Sequence, residues 1–171
     1  MTVTTRAGGP ADAAAMAGLW TAANVARQAE TGLPLGPVAG ADPAEAEQAV
    51  LRRLAGPTSF AVLAEDGGDL VAMALLLQAL DRDGLGPPLP GLAHVSMVAV
   101  RPDRWGQGLG AVVLGAARRG ARERGFTRVQ LWTHETNRRG QRLYERLGWT
   151  ASGRTTIDEH GEPIRHYVHE L

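Results

Sequence analysis

The stretch Val98-Ala99-Val100-Arg101-Pro102-Asp103-Arg104-Trp105-Gly106-Gln107-Gly108-Leu109-Gly110 predicts a strand, then a glycine-rich turn, then a helix. Glycine allows left-handed backbone angles and close approach of the backbone to a ligand. The first turn of a helix presents unpaired N–H groups and the positive end of the helix dipole. This combination is typical of a phosphate or pyrophosphate site. By itself the stretch does not identify the ligand.

The composition indicates an ordinary globular protein. The chain has 171 residues, of which 44% are hydrophobic and 21% charged, and its net charge is zero. We therefore expect a single domain over residues 1–171, with no nucleic-acid or membrane partner. No apolar run approaches the roughly 20 residues of a membrane helix, and the first residues lack the pattern of a secretion signal. A cytoplasmic location is the resulting expectation.

Two residue types are absent from the sequence, and their absence excludes several chemistries. There is no cysteine, so thiol nucleophiles and thiolate metal sites are excluded. There is also no lysine, which excludes a Walker-type ATP site and a Schiff-base enzyme. We expect a site without a metal ion.

The pattern of apolar residues predicts, in order, a strand, two helices, three strands, a helix, a strand, a helix and two strands. Residues 93–133 form a strand–helix–strand unit, which predicts one right-handed parallel pair. Asp42-Pro43-Ala44-Glu45 is typical of a helix start. The segments Gly32–Ala41 and Asp81–Gly91 are predicted to be loops that select the substrate. The fold class is therefore α+β, with a central mixed, mostly antiparallel sheet of about seven strands and about four helices.

A second motif gives the glycine turn a chemical context. The sequence Asn137-Arg138-Arg139-Gly140-Gln141-Arg142-Leu143-Tyr144-Glu145-Arg146-Leu147-Gly148-Trp149 follows the next strand along the chain. Together the two motifs resemble the acetyl-CoA-binding motifs of the GCN5-related N-acetyltransferases (GNAT), with close matches over residues 93–149. The resemblance implies an acetyl-CoA-dependent N-acetyltransferase that transfers the acetyl group directly to an amine in a ternary complex. Acetyl-CoA would be the co-substrate.

The resemblance also implies roles for individual residues. Tyr144 would protonate the departing thiolate, and Asn137 would contact the pantetheine arm. The strand Val98–Val100 would pair with the pantetheine amides as with an added strand. The full set of cofactor-binding residues predicted is Val98, Ala99, Val100, Arg104, Trp105, Gly106, Gln107, Gly108, Leu109, Gly110, Ala111, Asn137, Arg139 and Tyr144.

The chain departs from the family pattern at three positions. Trp105 stands at the first Gln/Arg position of the glycine motif, so that phosphate contact is absent or moved to Arg104. Gly140 replaces the usual alanine, which loosens the helix. Trp132 stands where some members place a catalytic glutamate, which leaves the general base open.

The remaining candidates concern proton transfer and the acceptor. His94, His134 and Glu135 are candidate bases, and Ser96 is a candidate to orient a water. Trp20 and Asn24, which share a helix face, and Trp132 are candidate substrate-binding residues. The acceptor is expected to be a small-molecule amine.

Several alternatives stay open at this stage. A protein or peptide N-terminus is the other acceptor, and a catalytically idle acyl-CoA-binding module is a non-enzymatic alternative. A dinucleotide-binding oxidoreductase matches Gly-x-Gly-x-x-Gly/Ala over Gly106–Ala111, with Glu135 as a ribose-binding acid. Too few strand–helix units follow for a nicotinamide half. A homodimer is compatible with the sequence.

Overall fold

A computed structural model describes residues 2–171, which form one seven-stranded sheet with the strand order β1-β2-β3-β4-β5-β7-β6. The strands are β1 Val3–Gly8, β2 Phe60–Asp66, β3 Asp69–Leu80, β4 Pro88–Val100, β5 Arg128–His134, β6 Thr150–Ile157 and β7 Pro163–Glu170. The helices are α1 Ala13–Thr31, α2 Pro43–Leu54, α3 Asp81–Gly84, α4 Leu109–Glu123 and α5 Arg138–Arg146.

The sheet is antiparallel except at one pair of strands, β4 and β5, which are parallel. Helix α4 connects these two strands, as the strand–helix–strand pattern predicted. The predicted mixed sheet of about seven strands is confirmed, and α3 is a single turn beside the four longer helices. A dinucleotide-binding fold needs a series of parallel strands. One parallel pair does not provide it.

Two apolar layers cover the sheet. On one face, Met16 of α1 and Val50 of α2 are fully buried against Leu63, Met73 and Leu75 of the sheet. On the other face, α4 buries Val113 and Leu114 in a cluster that also includes Tyr144 of α5 and Tyr167 of β7. The pair α1 and α2 and the pair α4 and α5 therefore each bury an apolar stripe against one face of the sheet, which lies between them.

Local sequence signals explain most element boundaries. The Asp42 side chain accepts hydrogen bonds from the N–H groups of Ala44 and Glu45, at 2.9 and 3.0 Å, and so caps α2 as predicted. The predicted loop 81–91 is wrong at its end, since β4 already begins at Pro88. The irregular pairing with β3 is held by the Gln78 amide, which donates to the carbonyl of Leu89 at 2.7 Å. This side-chain hydrogen bond links the two strands where Pro88 and Pro90 have no N–H to donate to β3.

Candidate active site

The site lies where β4 and β5 separate. These strands pair only over Leu92–His94 and Arg128–Gln130, and then diverge. A cavity of about 410 Å³ opens between the diverging ends. Its walls include Val95, Ser96, Val98, Ala99 and Val100 of β4 and Leu131, Trp132, Thr133 and His134 of β5. Because the strands no longer pair with each other there, backbone groups on both sides of the gap are available to a ligand.

A β-bulge in β4 accompanies this divergence. Leu75 pairs with Met97 and Leu76 pairs with Val95, so Ser96 is the extra residue. A bulge bends its strand and changes the face to which the following side chains point. Accordingly, Val95 is buried on the α4 side of the sheet, whereas Met97 is buried on the α1 side. No feature of the sequence predicts this bulge, since neither glycine nor a charged residue marks it.

The glycine turn lies beside the cavity, next to Trp105, and residues 106–111 do not line it. Gly106 and Gly108 both have φ of +81°, and a Cβ on either would meet nothing within 4 Å. They therefore serve the backbone conformation of the turn. Gly110 has a different function: a Cβ there would lie 2.7 Å from Leu143 Cδ2, so this glycine allows α4 to pack closely on α5.

The start of α4 carries N–H groups that lie ahead of the hydrogen bonds within the helix. The N–H groups of Ala111 and Val112 donate to the carbonyl of Gly108, at 3.0 and 3.2 Å. The N–H groups of Leu109 and Gly110 precede this hydrogen-bonding series. Residues 106–108 are exposed. A helix start next to an exposed glycine turn is an arrangement that proteins use to bind anions, and this one lies beside the cavity residue Trp105.

Two arginines of the predicted cofactor-binding set, Arg104 and Arg139, have protein partners. Arg104 Nη2 lies 3.0 Å from Asp66 Oδ2, and its Nε donates to Gln107 Oε1 at 2.8 Å. Arg139 pairs with Glu30 at 2.9 Å and lies 4.5 Å from the centre of the Trp105 ring. The Trp105 indole N–H donates to the carbonyl of Val100 at 2.8 Å. Trp105 thus joins the end of β4 to the turn in place of the usual polar residue.

Asn137 lines the cavity and fixes the junction of β5 with α5. Its Oδ1 accepts from the N–H of Gly140 at 3.1 Å, and its Nδ2 donates to Thr133 Oγ1 at 2.9 Å. A Cβ on Gly140 would lie 2.5 Å from Asn137 Nδ2. The glycine that departs from the family pattern therefore leaves room for this cap.

Tyr144 lies at the cavity on α5 and is 8% exposed. Its ring centre is 6.0 Å from that of Trp149 and 5.8 Å from that of Tyr167, so packing fixes the ring. The hydroxyl forms no hydrogen bond to any residue in 2–171. Burial raises the pKa of Tyr144 to about 12, and the nearby Arg27 guanidinium opposes part of this rise. The phenol is therefore protonated throughout the physiological pH range and available as a donor.

The three candidate bases lie in different environments. His134 lines the cavity, but Arg27 Nη1 lies 2.9 Å from its Nδ1 and Asp158 Oδ2 lies 2.8 Å from its Nε2. Because guanidinium can only donate, Nδ1 is the acceptor and Nε2 carries the proton. Glu135 lies outside the cavity lining, 3.5 Å from Arg165 Nη2. His94 is also outside the lining, and burial lowers its pKa to about 4.

All three predicted substrate residues line the cavity: Trp20, Asn24 and Trp132. The loop predicted at 32–41 also contributes to the lining, through Pro34, Gly36, Pro37 and Val38. No residue of the other predicted loop, 81–91, does so. Asn24 donates to the carbonyl of Trp20 at 2.8 Å and accepts from Arg27 at 2.6 Å. Arg154 lies 5.2 Å from the centre of the Trp132 ring.

The cavity lining also contains residues that the sequence analysis did not predict, among them Arg27, Arg53 and Asp158. Arg27 continues the helix face of Trp20 and Asn24 at a spacing of three residues, so the periodicity could have identified it. Arg53 reaches Ser96 across the α2–β4 contact, and Asp158 lies in a turn between β6 and β7. Only the tertiary fold brings these two to the cavity.

One pair of parallel strands diverges beside a glycine turn that starts a helix. The fold and this site together are those of the acyl-CoA-dependent transferases. The family model for the acetyltransferase (GNAT) family matches residues 26–149. The chain belongs to this family.

Relatives agree with that assignment. The mycothiol acetyltransferase of Thermobispora bispora is 35% identical over 102 residues, which cover 60% of this chain and 32% of that protein. This chain thus matches about a third of the length of that curated relative. The yncA protein of Salmonella typhimurium, solved with its cofactor acetyl-CoA, has a TM-score of 0.74 at 19% identity, over 100% of this chain and 95% of that chain. The paia N-acetyltransferase of Thermoplasma acidophilum, solved with coenzyme A, has a TM-score of 0.73 at 13% identity, over 97% of this chain and 98% of that chain. At these identities the two structures show a shared fold.

None of the helices within residues 2–171 is long and apolar enough to cross a membrane. The same residues contain no group of three or more His, Cys, Asp or Glu side chains that could hold a metal ion.

Proposed function

We propose that this chain transfers an acetyl group from acetyl-CoA to the amine of a small molecule, directly and in a ternary complex. One observation carries the proposal: the gap between β4 and β5 holds a single cavity that is lined by Val98–Val100 and Trp105 beside the glycine turn and that also reaches Tyr144, Trp20 and Asn24. Family membership supports acetyl transfer as the reaction.

The donor would bind along β4. The diphosphate would lie on the N–H groups of residues 106–111, at the start of α4. The pantetheine arm would then follow the edge of Val98–Val100 and occupy the place of a missing strand partner. Trp105 and Asn137 would flank it from opposite sides of the cavity. Arg139 already pairs with Glu30, so its contribution to phosphate binding would require that pair to open.

Tyr144 would stabilise the leaving group. Acetyl transfer breaks the C–S bond and leaves a thiolate, whose pKa is roughly 8.5. Full proton transfer from a phenol of pKa about 12 to this thiolate is uphill by about 5 kcal/mol. Hydrogen-bond donation to the developing charge has no such cost. We therefore assign Tyr144 as a hydrogen-bond donor to the sulfur as the bond breaks.

The amine must lose a proton before or during attack on the thioester carbonyl. A lysine-type amine has a pKa of about 10.4, so its deprotonation at pH 7 costs roughly 4.6 kcal/mol. His134 has its lone pair engaged by Arg27, which makes it a positioning residue. Glu135 and His94 lie outside the cavity lining. The proton would therefore pass through a cavity water held by Ser96, which lines the cavity within the bulge of β4, to bulk solvent. The released thiolate would then take up a proton from solvent.

The cavity size favours a small acceptor. Small-molecule pockets are typically about 300–1,000 Å³, and this one, at about 410 Å³, must also hold the acetyl end of the donor. The loop residues 34–38 cover one side of it. A peptide terminus is the alternative acceptor.

The test combines donor binding with turnover. Gly108→Ala places a side chain at φ of +81° where the diphosphate would bind, whereas Gly125→Ala places one at φ of +84° at the far end of α4. Neither added Cβ meets anything within 4 Å, so the two variants share a similar backbone strain. Both should lose about 1 kcal/mol of stability. We expect titration calorimetry to show at least 10-fold weaker acetyl-CoA binding for Gly108→Ala alone.

Turnover is measured as CoA release with a thiol reagent, and the acetylated product is identified by mass spectrometry. The absence of cysteine from the chain removes background from protein thiols. Equal acetyl-CoA affinity in the two glycine variants would refute the proposed donor site. Tight donor binding without acetylation of any small amine or peptide would favour the idle binding module instead.

A further inference from the structure

Two arginines on the acceptor side of the cavity have no carboxylate partner among residues 2–171. Arg27 of α1 and Arg53 of α2 both line the cavity and are half-buried. Within the described residues, neither guanidinium has a carboxylate oxygen within 4.0 Å. Burial lowers the pKa of both side chains. A partly buried charge without a counter-ion is a costly arrangement, and a bound anion would offset that cost.

Arg53 has the more unbalanced surroundings of the two. Its Nε donates to Ser96 Oγ at 3.3 Å, and its Nη1 donates to the carbonyl of Ala49 at 2.9 Å. Both partners are neutral. The charged neighbour that acts on it is Arg52, which also carries positive charge. Since a guanidinium has five N–H donors, about three on Arg53 have no partner among residues 2–171.

The carboxylates that line the same cavity are engaged by cations or an imidazole. Glu30 pairs with Arg139 at 2.9 Å, and Asp158 pairs with His134 at 2.8 Å. Glu159 lies 4.0 Å from the His160 ring nitrogen. Arg27 is linked to Asp158 through His134, so part of its charge is balanced. Among the described residues that line the cavity, Arg53 is therefore the arginine whose hydrogen-bond partners are all neutral, beside the bulge of β4.

Arg27 is the more constrained of the two. It donates to Asn24 at 2.6 Å and to His134 at 2.9 Å, and it feels the charge of Asp158. These contacts fix its position beside Tyr144. Arg53 keeps its Nη2 group unpaired among the described residues, and its position at Ser96 is close to where we place the reacting amine. Planar guanidinium groups bind carboxylates through two parallel hydrogen bonds.

We propose that the acceptor is a small amine that also carries a carboxylate, and that Arg53 binds this carboxylate while Arg27 adds positive potential from α1. The inference rests on the proposed acetyl transfer and specifies its substrate class. Amino acids are the simplest members of that class. Arg53 then acts as a specificity-determining residue.

The experiment compares each acid with its matched amide. Glycine and glycinamide, and phenylalanine and phenylalaninamide, differ only in the carboxylate. We expect kcat/KM for the acid to exceed that for the amide by at least 10-fold. The amine of an amino amide is the less basic one, so its higher fraction of free amine works against the expected result.

Three variants assign the preference to Arg53. Arg53→Gln should lower kcat/KM for the acids about 10- to 100-fold and reduce the acid-to-amide ratio toward 1. Arg53→Lys should retain part of this ratio, because the charge remains. Arg52→Gln, in the adjacent exposed position outside the cavity lining, should leave the ratio unchanged. The ratio is measured within each variant, so a general loss of activity or stability cancels.

A titration separates failure of this inference from failure of the proposed function. N-acetylphenylalanine and its amide are titrated into the CoA-loaded protein, which requires no turnover. Equal kcat/KM for acids and amides, or equal affinity for the two products, would overturn the carboxylate assignment while leaving acetyl transfer intact. A preference for amides or diamines, or an Arg53→Gln variant that retains the acid preference, would overturn it as well. Absence of acetylation of every amine counts against the proposed function alone, and the titration then decides the carboxylate preference.

Discussion

Removal of one hydroxyl group separates catalysis from stability in this protein. Tyr144→Phe deletes an oxygen that forms no hydrogen bond to any residue in 2–171, and it keeps a ring packed 6.0 Å from Trp149 and 5.8 Å from Tyr167. Stability should change by less than about 1 kcal/mol, since no protein hydrogen bond is lost. Acetyl-CoA affinity should also be nearly unchanged.

The rate should fall by an amount set by a hydrogen bond. With a pKa of about 12, the phenol is too weak an acid to transfer its proton fully to the thiolate that forms as the C–S bond breaks. Loss of one charge-assisted hydrogen bond, about 1.5–3 kcal/mol, lowers kcat about 10- to 100-fold. A fall of 10,000-fold would instead indicate full general-acid catalysis. The phenol should produce no ionisation limb in the kcat profile below about pH 11.

Tyr167→Phe is the matched control. The Tyr167 hydroxyl donates to Glu145 Oε1 at 3.1 Å and is not part of the cavity lining. This variant should lose about 1 kcal/mol of stability while keeping its kcat. Urea unfolding, acetyl-CoA titration and thiol release measure the three quantities in each variant. A Tyr144→Phe enzyme whose single-turnover rate stays within twofold of the original would refute the assignment of this residue.

Two further predictions concern stability. His94 has a pKa of about 4 in the folded protein, against 6.5 in the unfolded chain. Between these two values the unfolded chain binds more protons than the folded protein. The free energy of unfolding therefore decreases as the pH falls from 6.5 to 4. At pH 5 the decrease in unfolding free energy is about 2 kcal/mol. Urea unfolding at pH 7 and pH 5 should show a smaller decrease for His94→Gln than for the original protein. An equal decrease in both proteins would contradict the pKa shift. Asp42→Ala removes two capping hydrogen bonds from α2 and should cost about 1 kcal/mol of unfolding free energy with kcat unchanged. Asp42→Asn, which keeps a capping oxygen, is the control, and a similar loss in both variants would contradict the capping argument.

The glycine turn and the Asn137–Trp149 motif could be recognised in the sequence because their function depends on local backbone geometry. Positive φ at Gly108 and the cap formed by Asn137 are properties of a few consecutive residues. The strand–helix–strand unit could also be predicted from the sequence, because the spacing of its apolar residues changes from about two in the strands to about 3.6 in the helix.

Which candidate base is free to accept a proton could not be predicted from the sequence, because this depends on partners that are distant along the chain. His134 stands at the end of a strand, as expected, but its two nitrogens contact Arg27, 107 residues away, and Asp158, 24 residues away. Nothing near His134 in the sequence predicts either contact. The same holds for Arg53 and Ser96, which are 43 residues apart.

The sequence by itself determined the family, the order of the elements and the two motifs that we propose bind the donor, because each depends on short-range patterns of turn, cap and apolar residues. Only the tertiary structure decided which charges meet at the acceptor side. There α1, α2, β4 and the β6–β7 turn converge on one cavity, and their charges are balanced or left unbalanced by contacts between distant segments. Electrostatic interactions act through space rather than along the chain, so the acceptor preference is a property of the folded molecule.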